Sequence, residues 1–184
     1  MSARRAWSLL TIDGTRQYGG NTGYDDDPSS VYRYDSDVAN HLQVQAGDVV
    51  IVRSRAEVIG VAEIETIEQG TGYKDRLRCP QCRATNIKRR AKKLPAWSCK
   101  FGHAFDEPLS EPVAVTTFSA YYGATFVPAG RALSVAHLQE AVLRPSDQMS
   151  IKEIDLAKLE PVLGSGPAID LLIRRFAARL TVPK

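Results

Sequence analysis

Short, dense apolar runs separated by polar turns dominate the chain. Trp7-Ser8-Leu9-Leu10-Thr11-Ile12 is rich in aromatic and β-branched residues and predicts a first strand over 7–12. Val49-Val50-Ile51-Val52, introduced by Ala46-Gly47-Asp48, predicts a turn and a buried strand. In the next run Val61, Glu63 and Glu65 alternate with Ala62, Ile64 and Thr66, the period of a strand. The segment 112–130 supplies further strand. Helical signals come from Ser36 or Asp37 as caps of a short helix over 38–43, and from Ser134 as N-cap of a helix over 134–142. Ile151, Ile154, Leu156 and Leu159 fall near helical spacing. Gly164-Ser165-Gly166-Pro167 breaks that pattern, and Ile169, Leu172, Ile173 and Phe176 then mark one face of a final amphipathic helix. No internal repeat is visible. The sum is an α+β fold rich in β, with helices toward the C-terminus.

Two stretches do not fit this alternation. The first is the polar, glycine-rich run from Asp13 to Ser30, with Tyr18 and Tyr24 inside it and Tyr32 just beyond. Loops this long in a compact domain usually carry function or are disordered. The Asp25-Asp26-Asp27 run within it reads as a solvated turn before Pro28 in preference to a divalent-metal site. The second stretch, from Arg76 to His103, holds all three cysteines, nine Lys/Arg and no acid. The remaining chain carries fifteen of the 24 bases against all 21 acids, a balance of −6. A mildly acidic body with one basic module points to a local polyanion contact.

At 43% hydrophobic and 24% charged residues, the composition is that of a soluble globular protein. No apolar run is long enough to span a bilayer, so no membrane partner is expected. No signal peptide is read at the N-terminus, and the expected compartment is the cytoplasm. Cysteines there favour a metal over a disulfide.

Cys79-x2-Cys82, sixteen residues, then Cys99-x3-His103 is the spacing of a four-ligand zinc site. Two ligands on each of two tight knuckles close a tetrahedron without a long-range fold. A closed site leaves no position for water, so the expected Zn²⁺ is structural and folds a basic flap with little core of its own. His103 is the expected fourth ligand, with Asp106 the alternative. Charge runs are usually solvated surface. Here Lys88, Arg89, Arg90, Lys92 and Lys93 sit with Trp97 on a loop the metal would pin, an arrangement suited to neutralising several phosphates. Such contacts position a protein on its ligand without reading sequence.

Three pieces of the chain, in order, resemble the PUA-like superfamily that includes EVE, YTH, ASCH and SRA modules. They are Trp7 opening the first strand, the stretch 31–54 with its Gly47-Asp48, and Ile59-Gly60-Val61-Ala62-Glu63-Ile64. The likeness covers about 7–67, and 112–159 more loosely. It implies a PUA-like β-barrel with flanking helices, formed by 1–75 and 108–160. The remaining segments would be an inserted zinc-binding module at 76–107 and a C-terminal helix at 161–184, a linker to any further domain. In the EVE, YTH and SRA branches the concave face resembles a pocket for a flipped, modified base. Carried onto this chain, Trp7, Tyr18, Tyr24, Tyr32 and Tyr34 would stack, and Asn21, Asp35, Ser36 and Asn40 would read the base edge. Any one tyrosine is as readily a core residue. Arg53 and Ser54 would join the flap in meeting phosphate. The inserted ribbon is similar to what some modification-dependent (type IV) restriction proteins carry beside an HNH nuclease.

The resemblance therefore implies a reader of modified double-stranded DNA, with modified cytosine the first expectation. An associated or fused HNH nuclease and a homodimer on a palindromic target complete the picture. The alternatives are an RNA-binding PUA-like module and a nuclease with unrecognised ligands. No catalytic motif stands out: His41, His103 and His137 are isolated, and no Walker-type or dinucleotide glycine loop is present.

Overall fold

The computed structural model describes residues 5–11, 27–145, 149–159, 161, 166, 167 and 170. The described chain is mostly β-sheet with two short helices. It divides into two compact units: the described residues up to Gly70 together with those from Thr117 onward, and Thr71–Thr116.

In the first unit a five-stranded sheet runs in the order β10 (Val127–Pro128), β4 (Val58–Glu63), β3 (Val49–Arg53), β1 (Ala6–Leu10), β11 (Ile151–Glu153). β1 and β3 are parallel, with Trp7 opposite Val50 and Leu9 opposite Val52. β11 is antiparallel to β1 and β4 is antiparallel to β3. Both faces of this sheet are covered, which is why Val49–Val52 reads as an unbroken apolar run: alternate side chains enter different cores. Ala6, Val49, Ile51 and Val61 pack with Leu138 and Ala141 from around α1 (Val135–Glu140) and with Leu156 and Leu159 of α2 (Leu156–Leu159). Trp7, Leu9, Val50, Val52, Ala62 and Ile151 pack with Tyr32 and Tyr34 of β2 (Val31–Asp35) and with Phe118 and Ala120 of β9 (Leu109–Tyr121). β2, β9 and β5 (Thr66–Arg78) form a second sheet, β2 antiparallel to β9.

Asp48 clasps the centre of this unit. It is 3% exposed, and its carboxylate accepts from the Trp7 indole N–H (2.8 Å) and from the backbone N–H groups of Arg5 (3.0 Å) and Gln45 (2.9 Å). A buried carboxylate is tolerated when its lone pairs are filled in this way. Gly60 permits a close approach of another kind. A Cβ there would lie 2.3 Å from the Phe126 ring and 2.8 Å from the Val127 carbonyl.

The second unit contains stretches of β5 and β9 and a small sheet of β6 (Ile87–Arg89), β7 (Trp97–Cys99) and β8 (Ala104–Phe105). Cys79, Cys99 and Phe105 form a buried apolar cluster, with Cys82, Ile87 and Trp97 packed against them, and Val115 of β9 is buried as well.

The β-rich α+β expectation holds. The described strands form three sheets with no closed barrel among them. Ser134 caps α1 as expected, its hydroxyl accepting from His137 N–H at 3.2 Å. Two expectations are corrected. Residues 38–43 form turns, not a helix: the Asp35 carboxylate accepts from Asp37 N–H (2.8 Å), and Asn40 takes a left-handed φ of 68° so that its amide can donate to the Ile151 carbonyl (2.9 Å). Ile151 begins a strand, not a helix, because the free edge of β1 takes Lys152 and Glu153 into its ladder. The expected final helix, with Ile169, Leu172, Ile173 and Phe176, lies outside the described residues. No helix among the described residues is long and apolar enough to cross a membrane.

Candidate metal centre and basic ribbon

Cys79 and Cys82 flank a tight knuckle. Cys79 N–H donates to the Ala84 carbonyl (2.9 Å) and Arg83 N–H to the Cys79 carbonyl (2.8 Å), which takes Arg83 to a left-handed φ of 61°. The second knuckle follows β7. Cys99 N–H donates to the His103 carbonyl (3.0 Å) and Gly102 N–H to the Cys99 carbonyl (3.1 Å), with Gly102 at φ 87°, a conformation glycine adopts without strain. The two turns bring three sulfurs and one imidazole together, all within 4.8 Å of one another.

The separations discriminate between chemistries. Cys82 Sγ lies 3.7 Å from Cys99 Sγ, far beyond a disulfide, and the cysteines are free. Nδ1 of His103 lies 3.7 Å from Cys79 Sγ and 3.4 Å from Cys99 Sγ. A tetrahedral ion with metal–sulfur bonds of about 2.3 Å and metal–nitrogen bonds of about 2.0 Å requires edges of about 3.8 Å between sulfurs and about 3.5 Å between sulfur and nitrogen. The donor set therefore fits a closed four-coordinate metal. The fourth donor in the cluster is His103; Asp106 does not belong to it. Burial pushes the Cys99 thiol up, but hydrogen bonds from the Phe101 and His103 backbone, then those with Cys82 and Cys79, outweigh it and hold its pKa at about 6. The Cys82 thiol is raised: the Ala84 N–H lowers it, and burial with the Cys79 and Cys99 sulfurs raises it by more.

The bases around this centre divide into two groups. Arg78 donates to Glu111 (2.6 Å) and to the Arg83 carbonyl (3.1 Å), and Arg83 lies 3.8 Å from the same Glu111 carboxylate. Glu111 thus neutralises the base of the ribbon from β9. Its role is invisible to motif spacing because it lies 28 residues from the nearer of the two arginines. Lys88, Arg89, Lys92 and Lys93 are exposed and make no ion pair among the described residues. With Arg90 and Leu94, the last three of these line an open concavity of about 480 Å³. Arg90 has a different task. Its backbone N–H donates to the Ala96 carbonyl (2.6 Å) and its guanidinium to the Pro95 carbonyl, bracing the loop between β6 and β7.

The residues expected to form a base pocket are placed as follows. Trp7 is fully buried and committed to Asp48. Tyr32 is buried, and its hydroxyl donates to the Leu10 carbonyl at 3.2 Å. Asp35 and Asn40 hold the 36–43 turns as described above, and Ser36 is half-buried. Tyr34 stacks on Phe118 at 5.1 Å and is 1% exposed, yet its hydroxyl has no hydrogen-bond partner among the described residues. Burial pushes its pKa up to about 12. Tyr18, Asn21 and Tyr24 lie outside the described residues. Asp27 ends the acidic run as a turn cap, held below its ordinary pKa first by the Ser29 hydroxyl and then by that of Ser30.

Of the two expected phosphate ligands near β3, Ser54 is engaged in a tight turn, its hydroxyl accepting from Ala56 and Glu57 N–H. Arg53 is 7% exposed and donates to the Ser54 carbonyl at 3.3 Å. No carboxylate pairs with it among the described residues. Burial, and after it the charge of Arg55, lowers its pKa.

Comparison with known proteins supplies no relative: no family model matches the chain, and no curated protein or solved structure is significantly similar to it.

Proposed function

We propose that this chain is a DNA-binding module whose ribbon, closed by a structural zinc on Cys79, Cys82, Cys99 and His103, holds the phosphate backbone. The observation that carries it is the set of four exposed cations, Lys88, Arg89, Lys92 and Lys93, without ion-pair partners among the described residues and lying between the two knuckles of the candidate metal donors. Such a group has no folding role, whereas each phosphate it neutralises releases counterions and strengthens binding at low salt. Zinc when bound supplies the cross-link that this small core lacks; the cations do the binding.

The finer reading is that the first unit is PUA-like and reads a modified base, with modified cytosine the first candidate. Support comes from the order of the three sequence pieces and from Tyr34, a buried phenol whose hydroxyl is left for a ligand. Cleavage would come from a fused or associated HNH nuclease.

The test is fluorescence anisotropy on matched duplexes, unmodified or with one modified cytosine, at two salt concentrations, with an RNA duplex of the same sequence as competitor. Duplex binding that weakens steeply with salt, and weakens again when Lys88, Arg89, Lys92 and Lys93 are replaced by alanine, is expected. Tighter binding to the modified duplex at both salts is expected of a reader. Absence of DNA affinity at low salt refutes the proposal. Preference for the RNA duplex transfers it to an RNA-binding module.

A further inference from the structure

The most exposed large apolar side chain among the described residues is Leu94, at 88%. It stands in the loop between β6 and β7, directly after Lys92 and Lys93 and on the rim of the concavity that Arg89 and Arg90 share. This position runs against what folding alone would favour. Burial is what stabilises a leucine in a fold, and this one gains almost nothing from it. The loop that presents it is nonetheless built. Arg90 ties the two ends of the loop through Ala96 and Pro95, and Pro95 fixes its own φ immediately after the leucine. A braced loop that displays an apolar tip among cations is suited to a surface that is anionic outside and apolar inside.

Resting on the nucleic-acid reading above, we infer that this loop enters the minor groove of duplex DNA with Leu94 as a wedge between base steps. Arg89, Lys92 and Lys93 neutralise the phosphates on either side. Charge complementarity selects the occupant: a narrow minor groove concentrates negative potential and draws in lysine and arginine. Apolar wedges in that groove unstack a base step and bend the helix by roughly 20–90° toward the major groove. Burial of Leu94 between bases then offsets some of the unstacking cost, and the phosphate contacts supply the remainder. The ribbon would thereby contribute shape readout, with pyrimidine–purine steps preferred because they unstack most easily.

The experiment measures end-to-end energy transfer on a duplex of about 30 base pairs labelled at both ends, with the zinc-loaded full chain added at low salt. The expected result is a rise in transfer on binding. Leu94→Ala should abolish that rise and weaken binding several-fold while leaving the salt dependence unchanged, and Leu94→Met should restore the bend. Because Leu94 is exposed, neither variant disturbs the fold. Duplex binding without a change in transfer, or a bend that survives in Leu94→Ala, overturns the wedge and leaves the DNA-binding reading standing. No duplex binding at all overturns both. Displacement by poly-glutamate as readily as by unlabelled duplex makes the loop a general anion trap and also overturns the wedge.

Discussion

The two units are held together by different physics. The first buries Trp7, Leu9, Tyr34, Ile51, Leu138 and Ile151 to 1% exposure or less, on both faces of one sheet. Among its described residues the second buries a cluster of three, Cys79, Cys99 and Phe105, two of them candidate metal donors, and apart from that cluster only Val115 as a further apolar side chain. A core of that size cannot offset the conformational entropy of ordering the ribbon, so a cross-link must do so. The comparison teaches where each unit is vulnerable: the first to cavities and lost hydrogen bonds, the second, on the proposed function, to loss of its zinc.

Metal removal should separate them most sharply. Each unit contains one of the two tryptophans, so Trp97→Phe and Trp7→Phe variants report each unit alone. A strong chelator, or Cys99→Ser, should unfold the ribbon, because the proposed structural zinc would contribute about 10 kcal/mol or more to a fold of this kind. Trp97 emission should shift to the red while Trp7 emission stays unchanged. A parallel shift of Trp7 would show that the two units do not stand independently.

The next effect belongs to the first unit. Asp48→Ala leaves the Trp7 indole and two backbone N–H groups without their acceptor, and stability measured by denaturant unfolding should fall by about 3 kcal/mol or more. Zinc affinity should not change. Gly60→Ala should cost about 2 kcal/mol, since the added Cβ meets the Phe126 ring and the backbone of Val127, and a backbone carbonyl cannot turn aside. An unaltered denaturation midpoint would show that β10 yields.

The smallest effect has the opposite sign. Tyr34→Phe removes a buried hydroxyl with no partner among the described residues and should stabilise the free protein by about 1 kcal/mol. Burial favours the neutral phenol, so the wild-type contribution is complete below about pH 10 and is lost as pH rises toward about 12. The variant should lack that alkaline decline. If it also loses preference for a modified duplex, the hydroxyl serves a ligand.

The metal centre was legible because its determinants are local. Each donor pair lies within a turn of four or five residues, and the turn geometry, including φ 87° at Gly102, follows from adjacent residues. The long strands β5 and β9 were less legible. Thr66–Arg78 is mainly exposed, with Lys74, Asp75 and Arg76 in its course, so hydrophobic periodicity carries no signal and backbone pairing with β9 makes the strand. The aromatic residues near β2 were visible as a group, but whether each packs or binds depended on partners elsewhere in the chain.

From its own order of residues, then, the chain determined the apolar strands of the first unit, the cap of α1, the metal donors and the separation of charge. These follow from interactions between near neighbours and from the period of the backbone. The tertiary structure alone decided that Asp48 holds Trp7, 41 residues away, that Asn40 holds Ile151, 111 residues away, and that Glu111 pairs with Arg78 while Lys88, Arg89, Lys92 and Lys93 make no ion pair among the described residues. Such pairings depend on which backbone edges and buried polar atoms the folded chain brings into reach, and that choice is made by packing the whole unit at once.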